Sequence, residues 1–388
     1  MSGFKPSEPF RWDIFCTVID NFGDIGVCWR LAQQLASEHD VAVRLWVDDL
    51  ASFQRICPEI NPAQAQQTIR DIEVHQWAAD FPALIPGDVV IEAFACHLPE
   101  AFVAAMATRQ PSPVWINLDY LSAEDWVSGC HALPSPHPQL PLIKYFFFPG
   151  FDETTGGLLR ERELLQRKQS FDDSRQQQED FWRAIGQSAP DQESLLISLF
   201  SYENPAIRDL LAILAQSQTP VCCLTPATRN LADLEAFAGR ALSAGDVFRK
   251  DNLEIRMLPF VSQADYDRLL WSCSINFVRG EDSFVRAQWA GKPMIWQIYP
   301  QQEEAHWVKL EAFLDRYLAG QEESIASVIR RLYQAWNGHC DEPLTPELWA
   351  RWLCALPKTR QHSKLWAKHL INQQDLCSNL VNFVRSKL

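Results

Sequence analysis

The sequence predicts an α/β protein made of two doubly wound, Rossmann-like domains facing a cleft, followed by a C-terminal helical tail. Three observations carry that expectation. Short apolar runs alternate with helical patterns in two separate series, as in parallel sheets covered on both faces. A strongly polar stretch separates the two series, and after about Gln301 the pattern is helical to the end. The length of 388 residues agrees, at roughly 150 residues per domain.

In the first series, Trp12 to Ile19 reads as a buried strand that breaks at Asp20-Asn21-Phe22-Gly23. A helix follows from about Ile25 to Ser37. Val41 to Val47, Ile72 to Trp77, Asp88 to Phe94 and Val114 to Leu118 read as further strands, with helices near 49–57, 99–108 and 122–129. From about Asp152 to Gln178 the chain is rich in Arg, Glu, Gln and Asp without a strand pattern, as expected of a partly helical linker with a solvated face. The second series has strands at Leu195 to Ser201, Val221 to Leu224, Leu253 to Leu258, Ile275 to Val278 and Pro293 to Ile298. Helices are expected near 204–216, 228–241, 262–272 and 283–290. Pro343, Pro346 and Pro357 punctuate the tail, whose last helix spans about 361–386. The resulting domains are 1–165, joined by the closing helix (361–388), and 175–355.

Composition narrows the function. The 49 acidic residues outnumber the 35 basic ones, for a formal charge of −14. Nucleic-acid binding is disfavoured, because phosphate contacts need clustered Lys and Arg. The acidic surface suits a basic partner instead. The 11 cysteines show no CxxC and no Cys/His ladder at zinc spacing, so they read as reduced thiols of a cytoplasmic protein. The start MSGFKPSEPFRWD has no signal-peptide core. No apolar run approaches the length of about 18 residues that a membrane span needs. No HExxH, G-x-S-x-G or P-loop occurs. Asp265-Tyr266-Asp267 is a literal D-x-D inside a helical pattern, and reads as a solvated helix face.

Three segments carry candidate chemistry. The first is Asp20-Asn21-Phe22-Gly23-Asp24-Ile25-Gly26, after the first strand and at the head of the first helix. Gly23 and Gly26 permit a tight turn and close approach of a ligand. Asp20 ends the strand and Asp24 starts the helix, so both are expected to point into the cleft. Asp24 also suits an N-cap, and Asp20 a brace for the turn. As a pair they suit a cation, or a nucleophile that must lose a proton. The second segment, Phe277 to Trp289, repeats the strand–turn–helix grammar in the second domain. Its helix N-terminus offers N–H groups to a phosphate, Ser283 a hydroxyl, and Glu281 and Asp282 acceptors for sugar hydroxyls. The same pattern also fits a capped surface helix. The third is Phe200 and Tyr202 at the end of a strand, either core residues or a stacking surface for a nucleobase. Gln263, at the head of the helix after Pro259-Phe260, is placed to read a base edge. GT-B nucleotide-sugar glycosyltransferases share this two-domain plan, as do some epimerases and periplasmic-type binding proteins; architecture alone does not choose.

The run IDNFGDIGVCWRLAQQL (Ile19 to Leu35) together with FVRGEDSFVRAQWAGKP (Phe277 to Pro293) closely resembles the EarP family. SLFSYEN (Ser198 to Asn204) and LPFVSQADYD (Leu258 to Asp267) are similar to it as well, and the likeness follows the whole chain in order. The resemblance implies a GT-B fold and an inverting transfer of L-rhamnose from dTDP-β-L-rhamnose to one arginine of translation elongation factor P, without a metal or cofactor. It implies that Asp20, Asp24 and Glu281 are catalytic. It also implies that Phe200, Tyr202, Gln263, Asp282, Ser283 and Gly23 bind the donor, and that the protein is a monomer. The chemistry agrees: a guanidinium nitrogen is a poor nucleophile that must shed a proton when it attacks, and a carboxylate orients the fork and takes that proton. Asp20 is the expected base, with Asp24 holding the guanidinium or Asp20. The residues alone leave room for a GT-B nucleotide-sugar enzyme with another acceptor, or for a non-catalytic nucleotide-sugar-binding protein.

Overall fold

A computed structural model describes residues 10–19, 22–78, 81–301, 305–339 and 343–388. The chain divides into two compact units, Met1–Arg162 with Gln373–Leu388, and Glu163–Asn372. The first runs β1 (Arg11–Cys16), α1 (Gly23–His39), β2 (Ala42–Val47), α2 (Leu50–Ile56), β3 (Gln66–Ile69), β4 (Ile72–Gln76), β5 (Val89–Ala93), α3 (Glu100–Thr108), β6 (Val114–Leu118), α4 (Trp126–Cys130), β7 (Leu133–Pro136) and β8 (Ile143–Phe147). The second runs α5 (Leu164–Asp173), α6 (Arg175–Ala184), β9 (Leu195–Leu199), α7 (Ala206–Ala215), β10 (Val221–Pro226), α8 (Leu231–Ala238), β11 (Val247–Lys250), β12 (Leu253–Leu258), α9 (Gln263–Ser272), β13 (Ile275–Arg279), α10 (Asp282–Ala290), β14 (Met294–Gln297), α11 (Ala305–Tyr317), α12 (Glu323–Asn337) and α13 (Pro346–Ile371). Helix α14 (Leu376–Arg385) returns to the first unit.

The first sheet has the order β3-β4-β2-β1-β5-β6-β8-β7. Its six inner strands are parallel, and β3 and β7 are antiparallel edges. Strand β1 is buried on both faces from Trp12 to Cys16, which explains the apolar run Ile14-Phe15-Cys16 that follows Asp13. Trp12, Ile14 and Cys16 join the core shared with Trp29, Leu31 and Leu35 of α1 and Leu380, Val381 and Val384 of α14. Phe15 faces the opposite core, with Trp46, Phe102 and Met106. The amino end of β1 carries a buried carboxylate, Asp13, gripped from the neighbouring strand by Arg44 Nε at 2.5 Å and Nη2 at 2.8 Å. Trp46 Nε1 (3.1 Å) and the Gly87 amide (2.7 Å) complete its shell.

The second sheet has the order β11-β12-β10-β9-β13-β14, all parallel except the β11 edge. In each sheet the strand order reverses beside the first strand of its series: at β1/β5 in one unit and at β9/β13 in the other. In doubly wound sheets ligands bind outside the carboxyl ends of strands at such reversals.

The polar stretch is partly helical, as expected, and holds α5 and the start of α6. The structure departs from the expected elements in three other places. Edge strands β3, β7 and β11 carry no long apolar run, because edge positions are wetted; β8, which the expected strands do not include, is interrupted by Lys144 and only partly buried. The single closing helix is two, α13 and α14, separated at Asn372 to Asp375, with Asp375 capping α14 through the Ser378 amide. Pro357 lies inside α13 rather than ending it; buried Trp349, Trp352, Leu356 and Trp366 carry that helix through. All ten described cysteines are free thiols, and among the described residues no helix is long and apolar enough to cross a membrane.

Gly87 is a packing requirement. A Cβ there would sit 2.6 Å from the Arg11 carbonyl oxygen and 3.1 Å from Asp13 Oδ2. Gly87→Ala is therefore expected to cost about 1–3 kcal/mol by overpacking, measured as a shift in the urea midpoint at constant m-value.

Candidate functional site

In the first unit the site begins where β1 releases the chain. Asp20, the expected base, and Asn21 lie outside the described residues; Ile19 and Phe22 flank them. Asp24, in the first turn of α1, is only 2 % exposed. It is not an N-cap: Phe22 holds that position, with no side-chain cap bond. The Asp24 carboxylate instead accepts the Ile19 amide at Oδ2 (2.8 Å) and the Tyr120 hydroxyl at Oδ1 (3.3 Å). Tyr120 stacks on Phe94 with ring centroids 4.5 Å apart. Phe94 and Ala95 both have left-handed backbone angles, φ 57° and 54°, a strained geometry that packing must hold. Asp24 thus ties the chain leaving β1 to the connections that follow β5 and β6. Gly23 opens α1 and is half-buried. Beneath them Cys16 is hydrogen-bonded to Cys28 of α1, which with burial pushes the Cys16 thiol well above its ordinary range.

In the second unit the predicted residues gather at the carboxyl ends of β9 and β13 and the heads of α9 and α10. Gly280 turns the chain with φ 59°, a conformation glycine adopts without penalty. Trp296 Nε1 holds the Gly280 carbonyl at 2.8 Å. Glu281 is the N-cap residue of α10 and Asp282 the first helical residue, both half-buried. Gln263, first in α9, donates from Nε2 to Asp282 Oδ2 at 3.4 Å, so two of the expected donor residues already touch. Ser283 is 5 % exposed and its hydroxyl is committed to its own turn: it accepts the Arg279 amide at 3.2 Å and donates to the Arg279 carbonyl.

Phe200 and Tyr202 both lie on a side chain to which the sequence assigns no role. Their rings are 4.6 and 4.4 Å from the guanidinium carbon of Arg279, at the end of β13, in a double cation–π contact. Arg279 is 4 % exposed and Tyr202 3 %, so of the two aromatics Phe200 keeps the more open ring. Phe200 also meets the edge of Tyr266 at 5.6 Å, whose phenol burial pushes above its ordinary range. The Tyr202 amide is fixed by Gln297 Oε1 at 2.8 Å. A positive side chain directly before a Gly-turn and a helix N-terminus was the available signal for Arg279.

The D-x-D triplet is structural. It lies in α9, but Asp267 is not on a solvated face: it is 3 % exposed and forms a two-point ion pair with buried Arg286 of α10, at 2.8 and 2.7 Å. Asp265 accepts from the N-cap residue Ser262 (2.8 Å) and from Arg268 (2.8 Å). The pair locks the two helices whose heads carry Gln263 and Asp282. Among the described residues no group of three or more His, Cys, Asp or Glu is arranged to hold a metal ion.

Because its hydroxyl closes the α10 turn, Ser283→Ala is expected to lower unfolding free energy by about 1–3 kcal/mol, the cost of leaving buried main-chain groups short of a partner. Chemical denaturation measures this, and unchanged stability would leave the hydroxyl available for a ligand instead.

The arrangement fits known proteins along its whole length. The family model described as elongation-factor P (EF-P) rhamnosyltransferase EarP matches residues 12–385. The chain is 50% identical over 378 residues to the protein-arginine rhamnosyltransferase of Pseudomonas putida (strain KT2440), covering 97% of this chain and 99% of that protein. A solved structure concerning EarP-mediated arginine glycosylation of translation elongation factor EF-P is 37% identical, with a TM-score of 0.68 over 97% of this chain and 99% of that one. The glycotransferase of kitacinnamycin, 10% identical with a TM-score of 0.55 over 98% and 99% of the two chains, shares the fold alone. The fold is thus of the GT-B type, and with a family match that runs from the first strand to the last helix, the chain belongs to the EarP family.

Proposed function

We propose that this protein is an inverting, metal-independent rhamnosyltransferase that moves L-rhamnose from dTDP-β-L-rhamnose to an arginine side chain of translation elongation factor P. The observation that supports this most directly is the commitment of Asp24. A nearly buried carboxylate holds the amide of Ile19, the residue before Asp20. In this reading Asp24 is a positioning residue and Asp20 is the catalytic base.

The reaction balances as follows. One Nη of the acceptor guanidinium attacks the anomeric carbon, forming a C–N bond. The bond from that carbon to the diphosphate oxygen breaks and its electron pair leaves with dTDP. The attacking nitrogen gives its proton to the Asp20 carboxylate. Attack opposite the leaving group turns the β-linked donor into an α-linked product, as in other inverting sugar chemistry with a base on the face opposite the leaving group. The carboxylate is needed because guanidine, with a pKa above ~12, is protonated before attack.

On the donor side, the leaving diphosphate gains negative charge. The first-turn amides of α10 and the buried Arg279 guanidinium lie at the same strand reversal and supply fixed positive potential. Preorganised charge of that kind takes the place a divalent ion holds in other sugar transferases. Phe200, with the more open ring, is the surface for the base, and Gln263 and Asp282 bind as a hydrogen-bonded pair. Glu281, half-buried at the N-cap, accepts from sugar hydroxyls.

The test is direct. Incubated with dTDP-β-L-rhamnose and elongation factor P in excess EDTA, the protein is expected to add the mass of one deoxyhexose to a single arginine, read by intact-mass and fragment spectrometry. No addition in EDTA with addition restored by a divalent ion would overturn metal independence; no addition under any condition would overturn the reading. Asp20→Asn is expected to lower kcat by about 10²–10⁴-fold, the usual contribution of a general base, while calorimetric donor affinity stays at the wild-type value.

A further inference from the structure

A cavity of about 390 Å³ opens in the first unit, lined by Thr17, Asp48, Trp77, Ala78, His97 and Pro99. Its walls come from the carboxyl ends of β1, β2 and β4 and from the connection after β5, the edge of the sheet where doubly wound proteins bind ligands. None of the sequence motifs pointed to it. Asp48 performs two tasks there. Its Oδ1 accepts the Val18 amide at 2.9 Å. Asp48 and Asp24 therefore hold two consecutive amides, those of Val18 and Ile19, just before Asp20. The second Asp48 oxygen has no donor among the described residues, and the side chain is exposed. Trp77 is half-buried, anchored edge-on against Phe15 with centroids 5.3 Å apart.

The lining selects its occupant. Among the described residues it contains the Asp48 carboxylate and the His97 imidazole but no Lys or Arg, which disfavours phosphate or any other anion. An indole ring and a carboxylate lining one cavity suit an ammonium or guanidinium, by cation–π attraction and a charge-assisted hydrogen bond. We propose that this cavity is an acceptor subsite: it takes a basic side chain of the acceptor polypeptide that flanks the target arginine, and Asp48 determines that specificity. The proposal rests on the functional reading above and adds to it how a folded acceptor is told from free arginine.

Asp48→Asn separates the two tasks, because the amide oxygen still accepts the Val18 amide while the charge is gone. With saturating donor and varied elongation factor P, this variant is expected to raise the acceptor KM about tenfold, as for loss of one charge-assisted contact. Its kcat should stay near wild type, its donor affinity unchanged, and its acceptor KM should respond less to salt. Trp77→Leu is expected to raise the same KM. Each Lys or Arg flanking the acceptor arginine is then changed to Ala. The residue that occupies the subsite raises KM for the wild-type enzyme and adds nothing in Asp48→Asn. An active wild type with an unchanged acceptor KM in Asp48→Asn, or with no acceptor residue coupled to it, overturns the subsite alone. A wild type that transfers no deoxyhexose overturns the functional reading and the subsite with it.

Discussion

A parallel strand can deliver its chain at only one edge of the sheet, and this constraint organises both units. Every strand-to-helix connection of the inner strands emerges on the same side. Where the strand order reverses, neighbouring connections leave in opposite directions and open a crevice. The reversals at β1/β5 and β9/β13 bring together residues far apart in sequence. Asp24, Phe94 and Tyr120 meet at the first, and Phe200, Tyr202 and Arg279 at the second.

Buried charge then sets the geometry of those crevices. Asp267 and Arg286 lie in a two-point bond with almost no exposure. Removing either partner would strand an uncompensated charge, although an apolar pair of similar volume can be as stable. What the ion pair supplies is direction, since two parallel hydrogen bonds fix the roll of α9 against α10. The roll decides whether Gln263 reaches Asp282. In the first unit Asp13 and Arg44 pin β1 to β2 at the amino edge, while Asp24 and Asp48 hold main-chain amides at the carboxyl edge. Carboxylates at both ends of β1 leave its apolar middle free to pack on both faces.

Inner strands were legible because burial on both faces demands continuous apolar runs; Val114–Leu118 and Leu253–Leu258 appear with the bounds their sequences predict. Edge strands β3, β7 and β11 were not, because their side chains meet water and their pairing depends on a neighbour elsewhere in the chain. Among the candidate residues, Asp24, Glu281, Asp282 and Ser283 were legible as candidates because they sit in strand–turn–helix segments, whose grammar is local. Tyr120 and Asp48 were not, since nothing near them in sequence marks the ring, amide or cavity that they meet; for Arg279 the charge before the Gly280 turn is visible, but the two rings it meets come from another strand. Burial shows what local pattern does not: Ser283, expected to bind the donor, also closes its own turn, and Asp267, expected on a solvated helix face, lies in a buried ion pair.

The sequence by itself determined the two α/β series, the inner strands and the places where chemistry-bearing residues leave them, because periodicity and turn chemistry act over a few residues. Only the tertiary structure decided which of those side chains are spent on the fold and which remain open. That outcome depends on burial and on partners supplied by other strands and helices: Asp24 closed over the Ile19 amide, Ser283 over its own turn, and Asp48 on the Val18 amide while it lines a cavity.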